Sequence, residues 1–571
     1  MGPQPHQDED TRPTSKKELA GWYSYGWAAE VFAICAMGSF LPMTLEQLAR
    51  DQGVLLSDHK TPCKTSFPST NTLARPRRHE LPACIIRLGD VEINTASFAM
   101  YTFSISVLIQ SLLIVSMSGA ADHGRFRKIY LLVFAFTGAI ALMLFLAVLP
   151  RIYLLGALLA IVANTCFGAS FVLLNSFLPV LVRQHPSVME SHEEGQETDA
   201  LLRGQNRHSY NQHDHLADSA SSFPPSNESD HTHLLAANPA VVSKEMRLAT
   251  RISSNGIGIG YIAGLIVQVG GIFVVAMTGS TTFSLRLVLF IIGLWWGVFS
   301  IPAALWLRPR PGPPLPAHLT GWTGYARYSW GALFKTIRRA KELRDMMIFL
   351  AAWFLLSDAV ASISGTAILF GKTNLAMKPT QLALISVLGT ISGIFGAFYW
   401  ASISKYFGLK APHTIIACVC LLEIVPLYGI LGFIPAVKDA GWGLQQPIEM
   451  YGLGIIYGLV IGGLSSYCRA VFGELIPPGF EASFYSLYAI TDKGSSVFGP
   501  AVIGAITDRY GDIRPAFVFL AVLVFLPLPL LLLVDVERAK RDAAAMAVEL
   551  VGKDMQDGPT TPAIPTMHLP D

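Results

Sequence analysis

Residues 285–307 read LRLVLFIIGLWWGVFSIPAALWL, and residues 346–370 read MMIFLAAWFLLSDAVASISGTAILF. A hydrocarbon core about 30 Å thick takes about 20 apolar residues of helix, so each run is long enough to span a membrane. Between them, residues 308–345 carry 8 Lys and Arg against only Glu342 and Asp345. The same ruler, run outward, finds five more candidates on each side. The twelve are 22–45, 96–120, 129–149, 152–182, 248–277, 285–307, 346–370, 381–403, 412–435, 449–475, 483–507 and 515–535. Composition agrees. Of 571 residues, 14% are charged and 52% hydrophobic, against about 25% charged in an ordinary globular chain, and the mean hydropathy is +0.45. Several water-facing domains would need more polar surface than this. The sequence predicts an all-α membrane protein, with the first span kept as a membrane helix because no signal-peptide pattern precedes it.

Lys and Arg counts set the expected sidedness. With the N-terminus in the cytosol, the inner segments carry 25 and the outer ones 13, Arg251, Arg286, Arg469 and Lys493 lying inside spans. Seven of the outer 13 sit in one long loop, 46–95. Both termini are therefore expected in the cytosol. The expected layout is a tail (1–21), a six-helix half (22–307), a basic linker (308–345) that can rest against anionic lipid, a second half (346–535) and a tail (536–571). Two six-helix halves joined this way are the arrangement of the major facilitator superfamily, whose solute site lies near the midplane between repeats. Following the second span, Gly119-Ala120-Ala121-Asp122-His123-Gly124-Arg125-Phe126-Arg127-Lys128 resembles that superfamily's short inner loop. Gly119 and Gly124 would allow close approach, and Asp122 with Arg125 would latch the halves in one state. His123 stands where the pattern usually has Arg, and the simpler reading of Arg125, Arg127 and Lys128 is as membrane anchors.

Residues 183–247 hold seven of the fourteen His, many acidic and amide residues, and little apolar surface, which predicts disorder. The pairs His213/His215 and His231/His233 invite a metal reading. A solvated tract is expected instead, since no His lies well inside a span. Glu197 with Leu201-Leu202, and Asp230 with Leu234-Leu235, fit the acidic dileucine pattern read by sorting adaptors, an address rather than a fold feature. Of seven cysteines, five lie in apolar runs, where Cys packs as a small hydrophobe. Cys63 and Cys84 share the 46–95 loop and can pair if it faces an oxidising space.

A charge at a helix centre costs at least about 2.5–3.5 kcal/mol in a membrane and marks function by default. The deep candidates are Glu30, Asp358, Glu423, Asp492 and Lys493; Arg469 and Arg251 lie nearer the inner face. Both signs are what a zwitterionic solute needs. Glu30 and Asp358 would hold an ammonium or take up a proton, and Lys493, then Arg469, would hold a carboxylate. Mutual neutralisation as helix glue is the competing reading, chiefly for Glu423 and Arg469. Gly256, Gly260 and Gly264 form a small-xxx-small face, and Pro500 after Gly499 interrupts backbone bonding.

Several runs are similar to the autophagy-related protein 22 family of fungal vacuolar amino acid effluxers. They are Gly21 through Phe32, Phe40 through Arg50, Leu355-Leu356-Ser357-Asp358, Ala367 through Lys372 and Arg469 through Pro500, and the likeness extends over about residues 18–536. The resemblance implies a vacuolar membrane protein that returns neutral, leucine-like amino acids to the cytosol by alternating access, with no residue roles carried over. No cofactor, metal or nucleic-acid partner is expected. Nor is an enzyme, since no nucleophile with a base, no metal cluster and no phosphate loop is found. A peptide or another small cation as cargo, or a scaffold acting through 183–247, remains the alternative.

Overall fold

The computed structural model describes residues 12–63, 83–122, 126–190, 239–310, 321–477 and 481–556. Helix α1 (Lys16–Val31) starts at Ser15, whose hydroxyl accepts the Glu18 N–H at 3.2 Å. It runs on through a π-helical stretch, Phe32–Phe40, into α2 (Leu41–Arg50). The remaining helices of the first half are α3 (Thr95–Asp122), α4 (Phe126–Leu144), α5 (Tyr153–Arg183), α6 (Pro239–Met277) and α7 (Thr282–Trp306). After α8 (Gly321–Ala340) come α9 (Arg344–Thr373), α10 (Pro379–Phe407), α11 (Ala411–Leu431), the short α12 (Pro435–Asp439) and α13 (Pro447–Leu475). The chain continues through α14 (Glu481–Ser495), α15 (Phe498–Tyr510), α16 (Ala516–Phe525), α17 (Pro527–Leu533) and α18 (Val536–Gln556).

Among the described residues, eleven helical segments are long and apolar enough to cross a membrane. The expected eleventh span, 483–507, is not one continuous helix: it is α14 and α15, with a break at Ser496 and Val497. Pro500, in the first turn of α15, has no N–H to donate, which suits a helix start. Two connecting segments carry secondary structure of their own. The 46–95 segment is more than a loop, since α2 extends to Arg50 and a sheet of β1 (Val54–Leu55), β2 (Cys84–Leu88) and β3 (Val91–Asn94) follows in antiparallel order β1-β2-β3. Ile85 and Ile86 are both buried, and β2 pairs with β3 in the register Ile85–Asn94, Ile86–Ile93, Arg87–Glu92 and Leu88–Val91. Cys63 is disulfide-bonded to Cys84 and ties the segment to that sheet. The basic linker 308–345 likewise contains a helix, α8, whose Trp330 indole donates to Ser116 Oγ of α3 at 3.2 Å.

Glycine decides how the helices meet. Gly256, Gly260 and Gly264 of α6 face Trp22, Glu30 and Ile34, leaving no room for a Cβ, so α6 lies directly on the first span. In the second half Gly458 and Gly462 of α13 sit against the carbonyls of Gly389 and Gly393 of α10, backbone on backbone. The two halves meet where α3 packs on α15 and α6 on α10. At the face bearing the termini, the start of the linker is fastened to α1: Arg310, 1% exposed, grips Glu18 with Nε–Oε1 at 2.8 Å and Nη2–Oε2 at 2.7 Å.

Candidate functional site

A cavity of about 380 Å³ lies between the halves. The π-helical turn of the first span presents Ala33, Ile34 and Gly38 to it, one turn after Glu30; such turns widen a helix locally and are common at functional sites. Its polar lining is Glu30, Tyr261, Ser364, Ser386, Thr390 and Tyr457. An apolar wall comes from Val425, Pro426, Leu444, Met450, Phe517 and Leu520. Gly260 lies against the Glu30 side chain, so the glycine face of α6 seats the carboxylate at the cavity edge. Tyr261 stands close enough to feel both Glu30 and Arg469. Tyr457 lies beside Tyr261 and Ser364, and its hydroxyl donates to the Val360 carbonyl at 3.1 Å. Arg469 follows Gly458, Gly462 and Ser465 on one stripe of α13 and is exposed, two turns from the cavity toward the termini face.

On the opposite face, which carries the β-sheet, the halves are locked. Lys372, at the end of α9, pairs with Glu46 of α2 at 2.6 Å and donates to the Met43 carbonyl at 2.6 Å. Arg50 holds the other Glu46 oxygen at 2.7 Å, and the Thr95 hydroxyl donates to it at 2.9 Å. Asp508 of α15 accepts from the Asn94 N–H and the Tyr101 hydroxyl, both at 2.7 Å. Nearer the cavity, Ser39 bonds Ser386 across the halves, and Gln268 of α6 donates to Ser39 and to the Ala383 carbonyl. These cross-half bonds cluster on the sheet face. The structure is therefore closed on that side.

The charges singled out from the sequence part company here. Glu30 lines the cavity, and Arg469 stands two turns beyond it on α13. Asp358, expected in the central cavity, is not among its lining residues. It is 3% exposed and accepts the Gly499 N–H through Oδ1 at 3.0 Å and Oδ2 at 2.9 Å, because the start of α15 turns a free amide of its first turn toward α9. Asp492 accepts from the Ser357 hydroxyl at 2.9 Å. Glu423 has a buried Oε2 with no hydrogen-bond partner among the described residues. The Lys493 backbone is in α14, but its side chain lies outside the described residues, as do the side chains of Asp122 and Arg125, Gly124, and Glu197, Leu201, Leu202, Asp230, Leu234 and Leu235. Gly119 belongs to the last turns of α3. Sequence reasoning missed Glu46, Arg50 and Lys372, whose signal was a charge at each of two span ends inside the runs Phe40–Arg50 and Ala367–Lys372.

Residues 14–544 match the family model described as "Vacuole effluxer Atg22 like". The chain belongs to this family. It is 61% identical to Autophagy-related protein 22-1 of Penicillium rubens over 95% of this chain and 94% of that one. It is also 61% identical to Autophagy-related protein 22 of Coccidioides immitis, covering 98% and 93%. Among solved structures, a transporter of the POT family in complex with 5-aminolevulinic acid matches with a TM-score of 0.52 at 11% identity, covering 91% of this chain and 98% of that one. A mutant of the nucleoside transporter NupG matches with a TM-score of 0.50 at 13% identity over 90% and 99%. At such identities the likeness is one of fold, and that fold is the major facilitator one. Membership makes the chain a multi-pass membrane transporter connected with autophagy, and the family's description assigns it to the vacuole.

Proposed function

We propose that the protein exports neutral, leucine-like amino acids from the vacuole lumen to the cytosol by alternating access, with the sheet face lumenal and both termini cytosolic. The observation that carries this reading is the cavity itself: one carboxylate, two tyrosine hydroxyls and a long apolar wall, between halves locked on one face. Glu30 receives the ammonium, and the apolar wall takes the side chain. Arg469 meets the carboxylate on the way out, a role that the sequence had offered first to Lys493. A neutral amino acid matches each part of that lining, and release toward the termini needs no further gate on the sheet side.

The test is leucine efflux from isolated vacuoles carrying Glu30→Gln or Arg469→Gln. A charge-assisted hydrogen bond contributes about 1.5–3 kcal/mol, so each change is expected to slow efflux about tenfold or more, with protein amount and location unchanged. Normal efflux by both variants would remove these residues from the path.

A further inference from the structure

The break between α14 and α15 is held from both halves at once. On the side of the second half, Asp358 lies halfway along α9, buried, with both oxygens on the Gly499 N–H and Ser362 Oγ 3.5 Å away. Gly499 has no space for a Cβ because Ser362 and Asp358 fill it. On the side of the first half, the Ser104 hydroxyl of α3 donates to the Val497 carbonyl. Further along α15, Ser97 donates to the Gly504 carbonyl at 2.9 Å, and Asp508 takes Tyr101 and Asn94. Helix α15 is thus one wall of the closed sheet-face gate, and its inner end is anchored by a carboxylate.

That carboxylate has no ion-pair partner among the described residues. Charges near α9 are engaged elsewhere: Glu46 of α2 with both Arg50 and Lys372, and Arg538 of α18 with Asp345. Asp492 of α14 accepts from the Ser357 hydroxyl, the Tyr457 hydroxyl of α13 donates a hydrogen bond to the Val360 carbonyl, and the Tyr101 hydroxyl of α3 donates to Asp508. On the other packed helices, Glu474 of α13 pairs with Lys540 of α18, and Glu449 of α13 accepts the Leu444 and Gln446 N–H groups. Arg469 lies on the cavity stripe of α13, Arg509 is exposed near the end of α15, and the Lys493 side chain of α14 lies outside the described residues. A buried carboxylate is retained in a membrane against a cost, and an ionised one is the stronger acceptor for a helix-start N–H. Interrupted helices near the midplane are where transporters bind ions.

We propose that Asp358 couples proton movement to the sheet-face gate by capping α15, acting as a positioning residue that does not touch the solute. The inference rests on the cavity being the solute path. A proton taken from the sheet face neutralises the carboxylate, weakens its bond to the Gly499 N–H, and frees α15 to leave α3. The same proton is given up at the termini face when the cap re-forms, so one proton crosses per cycle.

Spin labels at Val91→Cys and Tyr510→Cys, both exposed, report the distance between the first half's sheet and the end of α15, with the five free cysteines replaced. The expected result is one short distance at neutral pH and a growing longer population at mildly acidic pH. Asp358→Asn should show the longer population at both. Asp508→Asn, which alters the gate end of α15 without touching the cap, should keep the pH response. No pH response in the parent, an unchanged one in Asp358→Asn, or its loss in Asp508→Asn would each overturn the proposal. In liposomes Asp358→Asn should retain leucine exchange yet lose acceleration by a proton gradient. If the parent itself fails to exchange leucine, the solute reading fails while the distance measurement still decides the coupling.

Discussion

Gly458 shows how much a single hydrogen atom decides here. A methyl group at this position would enter the space of the Gly389 carbonyl, and the obstacle is backbone, which cannot swing away. Overpacking a close-fitting contact costs about 1–3 kcal/mol, so Gly458→Ala is expected to lower the melting temperature of the detergent-purified protein. An unchanged melt would mean that α10 and α13 are not in backbone contact. This pairing was not legible beforehand, although the analogous stripe on α6 was, because Gly256, Gly260 and Gly264 stand at an unbroken four-residue spacing. Single charges were equally visible, since Glu30, Asp358 and Glu423 interrupt apolar runs. Direction was not. Burial periodicity is weak in helices that are apolar all round, so nothing in the sequence told that Glu30 faces the cavity while Asp358 faces the start of a broken helix.

At the scale of the element, the span ends carry the gate. Glu46 and Lys372 are each the sort of charge that reads as an interfacial anchor, and their pairing joins positions too far apart in the chain for one sequence to reveal. Together with Arg50 they form a buried charge cluster whose net sign is positive. Breaking one partner of a buried pair costs about 3–5 kcal/mol; Lys372→Met should fall at the low end, since Arg50 still neutralises Glu46. The expected outcome is a looser sheet-face gate, read as faster modification of Ser39→Cys by a membrane-impermeant thiol reagent applied from that face. A rate equal to that of the intact latch would show that the pair does not hold the gate. Helix positions themselves were read well, because hydropathy over about 20 residues is a property of the element alone. The split at Ser496 and Val497 was half legible: Gly499-Pro500 marked an interruption, but the surrounding apolar run still looked like one span.

For the whole molecule, the two halves and the cavity between them form a transporter with one face shut. Contacts that shut it come from α2, α3 and α6 on one side and α9, α10 and α15 on the other, so the halves must separate there for solute to enter from the sheet face. Alternating access makes that separation obligatory in every cycle, whereas a membrane scaffold would tolerate its loss. Ser39 and Ser386 meet side chain to side chain across the halves. The most direct measurement therefore replaces both by cysteine, with the five free cysteines removed, and compares leucine transport before oxidation, after oxidation and after reduction. The cross-link is expected to stop transport, and reduction to restore it. Undiminished transport by the fully cross-linked protein would contradict it.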